Sequence, residues 1–165
     1  MFLVKKSVLV ASMSLLGSAS SFAGTPSESI DEFIAKGNSV LEQLDQESPS
    51  SDTIVTTINE MLESAKPVLV AYGEKNPECK AQLDKVIELY PEIDTWTAKE
   101  IKKNIEGGKV LPEGPKTCYP PRDIIAHPAI VRATVRDGLE NAKIQKLKKE
   151  MEEAIEHAEE IASEL

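Results

Sequence analysis

The chain has 165 residues, of which 41% are hydrophobic and 28% are charged, a composition typical of one globular domain and not of a disordered segment. Its 28 acidic residues outnumber 19 lysines and arginines, which gives a formal net charge of -9. This balance argues against nucleic-acid binding, because that function requires a basic surface. Two cysteines and two histidines are too few for a cysteine-rich zinc site.

Residues 1–23 have the parts of a secretory signal peptide. Lys5 and Lys6 precede an apolar run of about ten residues, and small residues in Ser21-Phe22-Ala23 suit signal peptidase. We predict cleavage after Ala23, with Gly17-Ser18-Ala19 as the competing site, and a periplasmic or secreted mature chain of residues 24–165. The apolar run is too short to span a bilayer, and no other apolar segment is long enough. We therefore expect no membrane insertion of the mature chain.

Two cysteines, Cys79 and Cys118, remain in the predicted mature chain. In an oxidising compartment they are expected to form one disulfide. The alternative, a redox-active pair, lacks the C-x-x-C spacing typical of that function.

Helical patterns begin directly after the signal peptide. Thr25-Pro26-Ser27-Glu28 combines a helix cap, a proline for the first turn and a capping box. Apolar residues follow at helical spacing, and Gly37 on their face would allow a neighbour to approach closely. A turn over 48–52 precedes a second helix, which Pro67 should kink. A third helix should begin at Asn76-Pro77.

A fourth helix, capped by Asp94, should lead into a long irregular loop over 107–122. Its glycines and prolines predict that this segment is not a regular helix. One interpretation is a strap held by Cys118. The other is a recognition loop, and it displays Lys109, Lys116, Tyr119 and Arg122.

The last third of the chain is again helical in pattern. His127-Pro128 is predicted to start a short helix, and Asp137, with Glu140 three residues later, to cap a long one. A 3-4 apolar repeat runs from there to Leu165 without a break. With no strand-like alternation of useful length, the fold class predicted is all-α, a compact four- to five-helix bundle in a single domain over 24–165.

The last helix carries lysines in its first half and glutamates in its second half. A solvated face is one interpretation of this charge run. The other is an acidic patch that binds a protein partner, in particular a basic one. Homo-oligomerisation through the apolar stripe of the same helix is a further alternative. The candidate acidic residues are Glu156, Glu159, Glu160 and Glu164.

His157 lies among the glutamates of that helix. Glu153 precedes it by four residues and Glu160 follows by three, so all three share one side and could bind a divalent metal. The Glu-x-x-His pattern of ferritin-like bundles is absent, because Ala154 occupies its position. A closed site would need ligands from another helix.

Catalytic and cofactor motifs are not found in the sequence. There is no C-x-x-C-H for haem attachment, and Met61 and Met151 fit core positions better than ligand positions. We expect no enzyme activity and no cofactor. The function predicted is binding of another protein, in an inhibitor, immunity or chaperone-like role, through the acidic helix and the 107–122 loop. The alternative is a small-ligand or divalent-metal carrier that uses His157.

Overall fold

The computed structural model describes residues 24–165, so the predicted signal peptide lies outside the described residues. Within this range the chain is helical and has no β-strand. Five helices have twelve residues or more, which confirms the prediction of an all-α bundle. The seven α-helices are α1 (Pro26–Leu44), α2 (Ser51–Lys75), α3 (Pro77–Glu88), α4 (Tyr90–Ile93), α5 (Ala98–Ile101), α6 (Tyr119–Arg136) and α7 (Asn141–Ala162).

Capping boxes set the starts of two helices among residues 24–165. At α1 the predicted capping box is present: the Thr25 amide donates to Glu28 Oε2 at 2.7 Å, and the Glu28 amide donates to Thr25 Oγ1 at 3.2 Å. The prediction that Asp94 caps the next helix is wrong. Thr97 caps α5 in a second capping box, while Asp94 Oδ1 lies 3.1 Å from Nη1 of Arg132.

The segment after α5 is less irregular than its composition predicts. A π-helical turn (Lys102–Glu106) extends α5, and a 3-10 turn (Lys116–Cys118) leads into α6. The prediction of an irregular chain through residue 122 is therefore wrong from Tyr119 onward. Prolines are tolerated in the first turn of a helix, where amide donors have no partner within the helix.

Two further helix starts were predicted at the wrong residues. His127-Pro128 lies inside α6 and does not begin it, since α6 continues through Pro128. The last helix begins at Asn141, not after a cap at Asp137. Gly138 explains the break: its φ is +127°, a conformation that residues with a side chain rarely adopt.

The core lies where α1 and α6 pack against α2 and α7. The apolar stripe of α7 is buried there, so it packs within its own chain, and Met61 and Met151 are core residues as predicted. At Gly37 the side chain of Ile155 packs closely on the helix, since a Cβ there would lie 2.8 Å from Cγ1 of Ile155.

The predicted disulfide is present. Cys79 of α3 and Cys118 of the 3-10 turn are bonded, and both are fully buried. The bond ties the end of the loop to α3, as the strap interpretation requires. Among residues 24–165, no helix combines the length and apolar character needed to cross a membrane.

Candidate functional site

Both histidines of the chain meet in the interface between α6 and α7. The rings of His127 and His157 are stacked, with centroids 5.6 Å apart and planes 18° from parallel. They are 30 positions apart in the sequence, so only the packing of the two helices brings them together. Three carboxylates surround them. Together these five residues form the histidine cluster: Asp123, His127, Glu150, Glu153 and His157.

Helical spacing places each member of the histidine cluster. On α6, Asp123 precedes His127 by four residues, so both side chains lie on one face. On α7, Glu150, Glu153 and His157 follow the i, i+3, i+7 spacing of one helix face. Asp123, His127 and Glu150 are buried, whereas Glu153 and His157 are half-buried. The cluster therefore extends from the interior to the surface of the α6–α7 interface.

His127 is fixed by hydrogen bonding. Its Nδ1 lies 2.8 Å from Oε2 of Glu150 and 3.7 Å from Oε2 of Glu153. When the imidazole is neutral and Nδ1 donates to Glu150, Nε2 keeps its lone pair. In metal sites a carboxylate commonly accepts the other ring N–H of a ligating histidine in this way and fixes the orientation of the ring. Nδ1 of His157 lies 3.8 Å from Oε2 of Glu160, so that ring also faces a carboxylate.

The cluster offers two alternative sets of three ligand atoms, and either set could hold a single metal ion. Asp123, His127 and His157 form the first set, and His127, Glu150 and Glu153 form the second. Within each set the atoms lie within 4.8 Å of one another. Ligands of a tetrahedral zinc ion are about 3.4 Å apart, so the atoms of a set must come closer together to bind one ion.

Two basic side chains compensate the charge of the buried carboxylates in the cluster. Arg122 makes a two-point contact with Asp123, at 2.7 Å from Nε and 3.0 Å from Nη2. Lys102 Nζ lies 3.8 Å from Oε1 of Glu150. Because buried charges are costly unless paired, these contacts are what allow two buried carboxylates beside His127.

The proton affinities of His127 and Glu150 are shifted in opposite directions. Burial lowers the pKa of His127, but the hydrogen bond to Glu150 and the charges of Asp123, Glu150 and Glu153 outweigh burial and raise it above 6.5. The hydrogen bond to His127 is the main reason that the pKa of Glu150 is below 4.5, against the effect of burial. The pair therefore favours an imidazolium–carboxylate ion pair in mildly acidic solution.

The predicted metal ligands are only partly brought together. Glu153 and His157 belong to the histidine cluster, while Glu160 is exposed and contacts it only through His157. Asp123, His127 and Glu150 were not predicted as partners of His157. The i, i+4 spacing of Asp123 and His127 was the available signal, but the sequence does not state that α6 packs against α7 at this register.

The predicted protein-binding residues differ in exposure. All four glutamates of the acidic face are exposed, and so are Lys116 and Tyr119. Arg122 is 5% exposed and paired with Asp123, so the prediction that the loop displays it is wrong. It was predicted from a loop that is in fact the first turn of α6. The acidic face is Glu156, Glu159, Glu160 and Glu164.

The end of the loop and the acidic face meet. Thr117 and Pro120 line a small cavity of about 110 Å³ together with Glu160 and Glu164. The two parts of the predicted binding surface are therefore neighbours in space.

The fold and the site thus define an all-helical, disulfide-linked protein in which one buried and one half-buried histidine are stacked among carboxylates. Comparison with family models, with curated proteins and with solved structures finds no match to this chain.

Proposed function

We propose that the protein binds a divalent transition metal at the histidine cluster. The observation that carries this proposal is the meeting of the chain's two histidines with Asp123, each offering a ligand atom within 4.8 Å of the others. Imidazole and carboxylate together suit zinc, nickel or copper better than calcium or magnesium, which prefer oxygen ligands.

The first set supplies the ligands. Asp123, His127 and His157 bind the ion, and Glu150 orients His127 from behind. Three protein ligands leave a fourth position for water or for a ligand from another molecule, as in zinc sites that are not closed. Such a site suits reversible binding. It therefore agrees with the predicted alternative function, a divalent-metal carrier that uses His157.

We also propose, as a separate point, that the protein is exported. The disulfide fits an oxidising compartment, and the amino-terminal pattern predicts secretion to the periplasm or beyond. The prediction that the protein is not an enzyme stays a prediction.

Native mass spectrometry of the unreduced chain 24–165 with Zn²⁺ tests the proposal. We expect one ion per chain and at least tenfold weaker binding in His157→Ala, because one of three ligands is lost. His157 is half-buried, so this variant should fold, which circular dichroism would verify. Glu156→Gln, an exposed change one position away, is the matched control and should bind as the wild type does. Absence of saturable binding, or equal binding by His157→Ala, would contradict the proposal.

A second candidate function is binding of a basic protein by the acidic face and the adjoining loop. It is favoured by the four exposed glutamates and by the cavity that two of them, Glu160 and Glu164, share with Thr117 and Pro120. Charge attraction of this kind is screened by salt.

This second candidate function predicts that added salt releases the partner protein. It also predicts that binding is lost when all four glutamates of the acidic face are changed to glutamine. The control changes four exposed glutamates elsewhere by the same charge. Retention of the partner by the first variant would refute a role for the acidic face. The control residues are Glu42, Glu47, Glu74 and Glu92.

A further inference from the structure

A second concave site lies beside the histidine cluster and has the opposite charge. It is a cleft of about 540 Å³ between the α5 segment, α6 and α7. Four lysines border it, although the protein as a whole is acidic. We call it the lysine pocket, after Lys99, Lys102, Lys103 and Lys146.

Two elements supply the lysines. Lys99, Lys102 and Lys103 follow the i, i+3, i+4 spacing, which places them on one side of the α5 segment. Lys146 reaches the same cleft from α7. A π-helical turn begins at Lys102, and such turns occur frequently at functional sites.

Most of the positive charge in the lysine pocket has no acidic partner. Among residues 24–165, no carboxylate lies within 4.0 Å of the amino groups of Lys99, Lys103 or Lys146. Lys102 is nearest to acids, with Glu106 at 3.6 Å and Glu150 at 3.8 Å.

Glu150 is the one acidic residue among the described residues that line the pocket, and it lies close to both Lys102 and His127. Its carboxylate accepts the hydrogen bond of His127 and is buried. Four ammonium groups and one carboxylate leave the lining with a formal charge of +3.

The interior of the pocket is apolar in part. Ala98 and Ile130 line it, and the hydroxyl of Thr134 is bonded to the Ile130 carbonyl at 2.8 Å, so it is not free for a ligand. Ligand cavities in proteins typically have volumes of about 300–1,000 Å³. The lysine pocket is within this range, and its concave shape suits a small molecule better than a protein surface.

We propose that the lysine pocket binds a small amphiphilic organic anion, with its carboxylate among the lysines and its apolar part against Ala98 and Ile130. Long lysine side chains add apolar contact through their methylene groups. This site contains none of the three proposed metal ligands, although it shares Glu150 with the histidine cluster.

Isothermal titration calorimetry with octanoate, in the presence of a chelator, tests the proposal. We expect saturable binding of one octanoate per chain. Acetate lacks the apolar part and 1-octanol lacks the charge, so both should bind at least tenfold more weakly. Equal binding of acetate would contradict the role of the apolar wall, and equal binding of octanol would contradict the role of the lysines.

Two triple variants locate the binding. Changing Lys99, Lys103 and Lys146 to glutamine should weaken octanoate binding at least tenfold. The control variant makes the same charge change at Lys80, Lys85 and Lys116, which lie outside the pocket, and should change affinity less than twofold. No saturation by octanoate, or equal losses in the two variants, would overturn the proposal.

Discussion

The pKa of the buried His127 depends on the charged groups that surround it. His127 faces Asp123 on its own helix, and Glu150, Glu153 and His157 on α7. Its pKa is raised above 6.5 in the folded chain, so its stabilising contribution is fully present below that pH and is lost as the pH rises through the raised value. Glu150 behaves oppositely, since its folded pKa is below 4.5.

The pair should therefore stabilise the metal-free protein most between about pH 4.5 and 6.5. Urea unfolding at pH 5.5 and pH 8.5, with a chelator present, measures this change in the free energy of unfolding. We expect the His127–Glu150 pair to contribute less to the free energy of unfolding at pH 8.5 than at pH 5.5. The free energy of unfolding of Glu150→Gln should depend less on pH, because this change removes the charge closest to His127. Lys102, the basic residue nearest Glu150, is unchanged in both proteins. An identical pH dependence of the two proteins would contradict the assignment.

At the scale of elements, the contact between α1 and α7 depends on the absence of a side chain at Gly37. A leucine there would collide with Ile155 and with Met61, whose Cε would be 3.1 Å from the added Cβ. We expect Gly37→Leu to lower the free energy of unfolding by about 1–3 kcal/mol, the usual cost of overpacking. Ala35→Leu, an exposed change on the same helix, is the control. Equal stability of the two variants in urea would show that α1 and α7 do not pack this closely.

Helices were more predictable than their contacts. Apolar periodicity and the Thr25 capping box located α1, and the core positions of α7 were evident from its repeat. Periodicity does not reveal the start of α6, because Pro120 and Pro121 suggest a loop until the first turn is known. Periodicity also does not reveal which helices pack against each other. His157 was therefore predicted as a candidate ligand, but its partner His127 was not.

At the scale of the whole molecule, the disulfide links α3 to the entry of α6 across 39 residues. Closing a loop of that size in the unfolded chain is worth about 4 kcal/mol in the loop-entropy model. The double variant Cys79→Ala, Cys118→Ala should therefore unfold at a clearly lower urea concentration than the oxidised protein. Its far-ultraviolet circular dichroism should still be helical. A midpoint equal to that of the wild type would show that the bond does not stabilise the fold.

If the two histidines bind one metal ion together, nuclear magnetic resonance of their imidazole nitrogens should detect both as ligands. The chain has only two histidines, so a long-range ¹H–¹⁵N spectrum shows two imidazole systems. At pH 7.5 we expect the imidazole ¹⁵N chemical shifts of both rings to change together as Zn²⁺ is added. The change should be complete at one equivalent of Zn²⁺. A change in only one ring, or in neither, would contradict a shared site between α6 and α7.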